Sequence, residues 1–173
     1  MSKSTKQNSK NDSIILAEGD GTLELSPLDV ARVKADALLR AALECFHQHD
    51  RYARLVAGPA LEAEHRAADE MCVVVTNALI EMAESYGESA KELRPSGGDE
   101  EWWHRANALW HASREYGRRQ TCCERQAQRK NASRKRNRDE LGDLVLQYDL
   151  EASALLALRH AADAYRKTRA QTA

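Results

Sequence analysis

Between Arg118 and Arg138 stand nine bases, Arg118, Arg119, Arg125, Arg129, Lys130, Arg134, Lys135, Arg136 and Arg138, and one acid, Glu124. Guanidinium groups suit phosphate because their planar fork donates two hydrogen bonds and is weakly hydrated. On a helix Arg118, Arg125 and Arg129 share one side, and Lys135, Arg136 and Arg138 follow across the turn. A field this dense binds nucleic acid through counterion release, with a steep salt dependence. No aromatic residue stands between Tyr116 and Tyr148, so base stacking has no platform and recognition rests on backbone charge and shape. The same surface also fits an acidic protein. From Pro59 to Ser96 there are eight acids and three bases, and the formal net charge of −1 conceals this segregation.

Glu44/His47, Glu62/His65 and Glu101/His104 have a Glu-x-x-His spacing that places both side chains on one helix face. In a helical bundle, two such pairs with two further glutamates make a di-iron carboxylate centre, as in ferritin-like proteins. The chain order argues against one here. Glu62 and Glu101 fall near the starts of consecutive antiparallel helices, at opposite ends of a bundle, and Ala157 occupies the position three before His160. Surface ion pairs and polar core-edge histidines account for the three pairs. No metal, no cofactor and no catalytic residue is expected.

Asp139-Glu140-Leu141-Gly142-Asp143-Leu144 resembles the Glu-Leu-Gly-Asp-Leu helix motif of the MazG-like, all-α nucleotide pyrophosphohydrolases. The resemblance implies Mg²⁺ held against a triphosphate by carboxylates at i and i+3. An upstream Glu-x-x-Glu helix belongs to that pattern; Glu81/Glu84 has the spacing, and Glu84-Ser-Tyr-Gly-Glu88 is similar to the family's Glu-Glu-x-Gly-Glu. Here the two motifs stand over fifty residues apart with a long helix between them. Acids at a helix N-terminus are also favoured by the dipole alone.

Four cysteines, Cys45, Cys72, Cys122 and Cys123, show no disulfide framework, which points to reduced thiols in the cytoplasm. Arg118, Arg119 and Arg125 would lower the pKa of a thiol at Cys122–Cys123, although bystander thiols are the simpler expectation. Trp102, Trp103 and Trp110 cluster in a chain with a single phenylalanine, Phe46. They anchor the core, and because Trp102 and Trp103 cannot both point inward, one of them suits an interface between subunits.

The elements that position these residues are helices. Aromatics are 5% of the chain and Gly and Pro are few, so a core of Leu, Ala and Val in few, long elements follows. Residues 1–12 read as a disordered polar tail. Residues 13–26, with two apolar runs flanking Gly19-Asp20-Gly21, read as an extended arm or small hairpin. Ser26-Pro27-Leu28-Asp29 starts a helix, and Leu28, Ala31, Ala35, Leu38, Leu39, Ala42, Phe46, Ala53 and Val56 form its apolar stripe. The second stripe is Leu61, His65, Ala68, Cys72, Val75, Leu79, Met82 and Tyr86. The third runs through Trp103, Ala106, Leu109 or Trp110, Ser113 and Tyr116, then vanishes after Cys123. Leu141, Leu144, Val145, Tyr148, Leu155, Leu158, Ala162 and Tyr165 form the fourth.

Helices near 27–57, 59–93, 99–131 and 134–170 make an all-α antiparallel bundle over 27–173. If the third and fourth are the longer pair, their basic ends project as a two-helix arm. No apolar run is long enough to span a bilayer. The functional expectation is a non-enzymatic, cytoplasmic, homo-oligomeric binding or assembly protein. Its basic junction docks a polyanion, nucleic acid foremost. The alternatives are a MazG-like pyrophosphohydrolase using Mg and a partner-specific protein adaptor.

Overall fold

The computed structural model describes residues 15–16, 23–95, 97, 99–132 and 138–172, and at 15–16, 23–24, 126–132, 138–141, 144 and 172 the backbone alone. The tail over 1–12 lies outside the described residues. Strands β1 (Ile15–Leu16) and β2 (Leu23–Glu24) pair antiparallel, Ile15 opposite Glu24 and Leu16 opposite Leu23. Four helices follow: α1 (Pro27–Val56), α2 (Glu62–Ala90), α3 (Asp99–Ala132) and α4 (Arg138–Thr172).

Ser26 caps α1, its Oγ accepting from the Asp29 backbone N–H at 3.2 Å. The second helix begins at Glu62 rather than at Pro59. Ala57–Pro59 forms a turn, and the Glu64 carboxylate reaches back to accept the Leu61 N–H at 3.0 Å. That contact satisfies one of the orphan donors at a helix start.

An all-α antiparallel four-helix bundle results, built as two helical hairpins, α1 on α2 and α3 on α4, with α2–α3 and α1–α4 as the thinner seams. One fully buried leucine comes from each helix: Leu38, Leu79, Leu109 and Leu158. Removing each from water contributes about 1.5–3 kcal/mol. Tyr86, Tyr116 and Tyr165 are also fully buried.

Side-chain ties fix the order. At one end Arg32 on α1 pairs with Asp99 at the start of α3. There too the Trp102 indole N–H donates to the Tyr165 hydroxyl at 3.1 Å, and Tyr165 donates to Asp36 at 3.0 Å. Arg169 also pairs with Asp36 at 3.1 Å. Further along, Tyr116 meets His49, and Arg159 donates to Asp50 at 3.2 Å. Thus α1 runs parallel to α3 and antiparallel to α4. Among the described residues no helix is long and apolar enough to cross a membrane.

The inward stripes differ from expectation on all four helices. On α3 the stripe starts at Trp102, 5% exposed, and continues through Ala106, Leu109, Ser113, Tyr116, Gln120 and Cys123. Trp103 and Trp110 are shifted to the flank that faces α2. On α1 burial ends at Phe46, leaving Ala53 and Val56 exposed, and on α2 Leu61 is exposed. On α4 Val145 and Tyr148 are exposed, and the buried stripe is Ala154, Leu158, Ala162 and Tyr165. All these departures except the tryptophans lie at the same end of the bundle.

Candidate functional site

That end is where α3 and α4 outrun their neighbours. Arg32–Asp99 and His49–Tyr116 are both 67 apart in the chain, so Val56, the last residue of α1, lies level with Cys123. The backbone of α3 continues to Ala132, about 13 Å further at 1.5 Å per residue. Asp143, near the start of α4, lies level with the turn between α1 and α2, by the pairings of α4 with Asp36 and Asp50.

The nine bases divide accordingly. Arg118 and Arg119 stand on α3 within the bundle, and both are engaged by Glu115. Arg118 donates to both carboxylate oxygens at 2.8–3.0 Å, and Arg119 donates at 2.7 Å. Partial burial opposes ionisation of Glu115, but the hydrogen bonds from Arg119 and Arg118 outweigh it and hold the carboxyl below its usual range. Arg125 is exposed two turns on. Arg129, Lys130 and Arg138 belong to the projecting helical backbone, their side chains lying outside the described residues. Arg134, Lys135 and Arg136 lie outside the described residues altogether.

Inside the same end the bundle core turns polar. The Tyr116 hydroxyl meets His49 Nε2 at 2.5 Å, with the rings edge-on, and Cys45 Sγ lies 3.7 Å from Thr76 Oγ1. Beyond them opens a cavity of about 530 Å³ walled by all four helices. His49 and Tyr52 come from α1; Asp69 and Cys72 from α2; Gln120, Cys123 and Glu124 from α3; Tyr148 and Glu151 from α4. Its described lining contains three carboxylates and no Lys or Arg.

The ionisable groups register that environment. Burial, then the Glu151 carboxylate, pushes Cys123 up to about 12. Burial, with nearby Cys45, Asp69 and Glu151, pushes Cys72 up to about 11. Burial lowers the pKa of His49 against the pull of Glu151 and Asp50, and raises that of Glu124, aided by Glu151 and Asp69. Cys123 is therefore a buried neutral thiol facing acids, not the activated thiolate that its arginine-rich flanks allowed. All four cysteines are free.

The remaining sequence candidates are not brought together. Glu44 and His47 are both exposed, as are Glu101 and His104. Glu62 pairs with Arg66 at 3.2 Å, while His65 is half-buried beside it. Among the described residues no group of three or more His, Cys, Asp or Glu is arranged to hold a metal ion. Thr76 meets Cys45, which sets Glu81 level with about Arg40, whereas Asp143 is level with the far end of α1. At least sixteen helical residues, roughly 24 Å along the axis, separate the two acidic motifs.

Trp103 and Trp110 line a groove of about 860 Å³ between α2 and α3. Gly87 makes room for it: a Cβ there would stand 2.9 Å from the Trp110 indole nitrogen. Arg114 covers the Trp110 ring at 5.2 Å.

The polar cavity was not legible in the sequence. Its signal was the replacement of apolar residues by Cys72, Thr76, Gln120 and Cys123 on otherwise apolar stripes. No protein-family model, curated protein or solved structure matches this chain.

Proposed function

We propose that this chain is a non-enzymatic helical-bundle docking protein that binds a polyanion, nucleic acid foremost, on the projecting end of α3 and α4. One observation carries the reading: the helices that outrun the bundle are the ones bearing Arg125, Arg129, Lys130 and Arg138. A rod of basic turns clear of the α1–α2 hairpin can be approached from several sides, and phosphates gain most from such a field at low salt. Arg118 and Arg119, already engaged by Glu115, contribute less. A cytoplasmic setting belongs to the proposal and agrees with four free thiols. So does self-assembly, in which the acidic α2 of one copy meets the basic end of another.

A mobility-shift titration of duplex DNA and RNA over a salt series tests this. Each neutralised phosphate contributes about 0.9 to the slope of log affinity against log salt. The triple variant Arg129→Glu, Arg134→Glu, Arg136→Glu should lower that slope by about 3 while leaving the helical content intact. Absence of binding at low salt overturns the proposal. The pyrophosphohydrolase reading has less support, because Glu81 and Asp143 stand at different levels of the bundle. Release of pyrophosphate from a nucleoside triphosphate with Mg²⁺, lost in Asp143→Asn, would restore it.

A further inference from the structure

We propose that the groove between α2 and α3 is a binding site for a small aromatic carboxylate. The indole nitrogens of Trp103 and Trp110 and the amide nitrogen of Asn107 are buried and have no hydrogen-bond partner among the described residues. All three belong to side chains that line this one groove of about 860 Å³. Buried donors are ordinarily paired with protein or an ordered molecule, and leaving one unpaired is costly. Three along a single wall mark a place that lacks acceptors. The need is one-sided: the Asn107 carbonyl oxygen already accepts from the Tyr86 hydroxyl at 3.4 Å, and among the described residues no unpaired buried acceptor lines the groove.

Charge points the same way. Gly87 faces Trp110 and Ile80 faces Gly117 across the α2–α3 seam, which sets Arg94 level with Trp103 and Lys91 within a turn of it. Both cations line the groove at this end. The groove's two acids, Glu84 and Glu88, stand further along, level with Ser113 and Leu109, where Arg114 offsets them. Glu100 and Glu101 nearby are turned to His104 and Arg105, at 3.8 and 3.7 Å. An anionic group therefore fits the Trp103 end, beside Lys91 and Arg94. This is the end opposite the basic extension, so the site is separate from the polyanion surface.

The rest of the wall selects the body of the ligand. Trp103 and Trp110 stand seven residues apart, which spaces their indoles about 10 Å along α3. Gly87 and Ala108 keep the surface between them low; a Cβ at Gly87 would stand 2.9 Å from the Trp110 nitrogen. Indoles favour flat aromatic partners in offset or edge-on contact, and a space of this volume is typical of small-molecule sites. The side chains packed on the indoles are His104 on Trp103, and His111 and Arg114 on Trp110. All three are exposed, so they move aside without a change in the backbone and bring the buried N–H groups within reach of a carboxylate.

Nuclear magnetic resonance of the nitrogen-labelled full-length chain tests the site directly, because its three tryptophans give three indole N–H signals, assigned with Trp103→Phe and Trp110→Phe. Naphthoate should shift the Trp103 and Trp110 signals saturably. The Trp102 signal, from an indole already bonded to Tyr165, should stay nearly fixed. Naphthalenemethanol, with the same rings and no charge, should bind about tenfold more weakly. The double variant Lys91→Gln, Arg94→Gln alters two exposed side chains, so it should fold as the parent does and lose about fivefold in affinity. No saturable shift of either signal by about 1 mM naphthoate, a range in which even weak specific sites fill, overturns the proposal. So does equal affinity for the alcohol, or unchanged affinity in the double variant. Movement of the two signals on dilution of the protein alone, the mark of a second copy covering the groove, overturns it as well.

Discussion

Replacing Tyr165 with Phe isolates the polar tie that joins three helices at the end opposite the basic extension. The Tyr165 hydroxyl accepts from the Trp102 indole at 3.1 Å and donates to Asp36 at 3.0 Å. Phe keeps the ring, so the buried apolar area changes little. What is lost is the acceptor for an indole N–H in a side chain only 5% exposed, and a buried donor left unpaired costs about 1–3 kcal/mol. Asp36 retains Arg169 at 3.1 Å, so its loss adds only about 0.5 kcal/mol. Together these give about 2–3 kcal/mol, a fall in Tm of about 4–10 °C for a chain of this length. Circular dichroism melts, with urea titration as a second route, measure it. A double-mutant cycle sharpens the test: once Trp102→Phe has removed the donor, Tyr165→Phe should cost about 1 kcal/mol less. A single-variant Tm within about 1 °C of the parent, with no coupling, would refute the reasoning.

Other perturbations test the rest of the frame. Gly117→Ala would place a Cβ 2.5 Å from Ile80 Cγ1; despite the better helix propensity of Ala, overpacking should destabilise by about 1–2 kcal/mol, read as a lower urea midpoint. Leu109→Ala, at a fully buried position, should cost about 2–5 kcal/mol in the same assay. His49 has a folded pKa below its unfolded value because it is buried. The unfolded chain therefore takes up the proton first, and stability should fall as pH drops below about 6.5; His49→Gln should flatten that slope in melts between pH 7 and 5. Glu124 has the opposite sign: its folded pKa is raised, so the stability it contributes at low pH is lost as pH rises through that value. Glu124→Gln should consequently raise the Tm at pH 7–8. Cys123, pushed up to about 12, should resist iodoacetamide at pH 8 in the folded protein and react once urea unfolds it, as peptide mass mapping would show.

The fold was legible because its signals are local. Ser26-Pro27 starts a helix by its own chemistry, Gly58-Pro59 and the loop after Ala90 end helices, and three- to four-residue periodicity survives in each segment. Adjacent residues that compete for one face were not legible. Trp102 and Trp103 fit the periodicity equally well, and Trp102 took the inward place because Tyr165 on α4 supplies the partner for its indole. The apolar residues at the start of α4 looked like core by spacing alone, but Val145 and Tyr148 are exposed, and Tyr148 borders the polar cavity rather than the packed core. The polar cavity was hidden for a different reason. Its acids come from three helices, Asp69, Glu124 and Glu151, with no spacing rule between them, and only the packing of α1–α4 puts them around one space. The basic stretch, by contrast, was plain in the sequence, as was the loss of the apolar stripe beside it.

The two features at this end oppose each other electrostatically, and that opposition is itself testable. The bases lie on the outrunning turns of α3 and α4, and the acids line the space between the helices just below. A helix diameter of ~10 Å therefore sets the scale of their separation. At that distance in water each pair of charges interacts by about 0.4 kcal/mol before screening, and roughly a third of that remains at physiological salt. With about four phosphates of a bound duplex within that range, neutralising one acid removes some 0.5 kcal/mol of repulsion at physiological salt, a two- to threefold gain in affinity. Glu151→Gln should thus tighten polyanion binding by about that factor at physiological salt and by more at low salt, and the gain should vanish near 1 M salt, where the screening length is about 3 Å. A mobility-shift titration in which Glu151→Gln binds duplex no more tightly than the parent at low salt would show that the acidic interior and the basic exterior act independently.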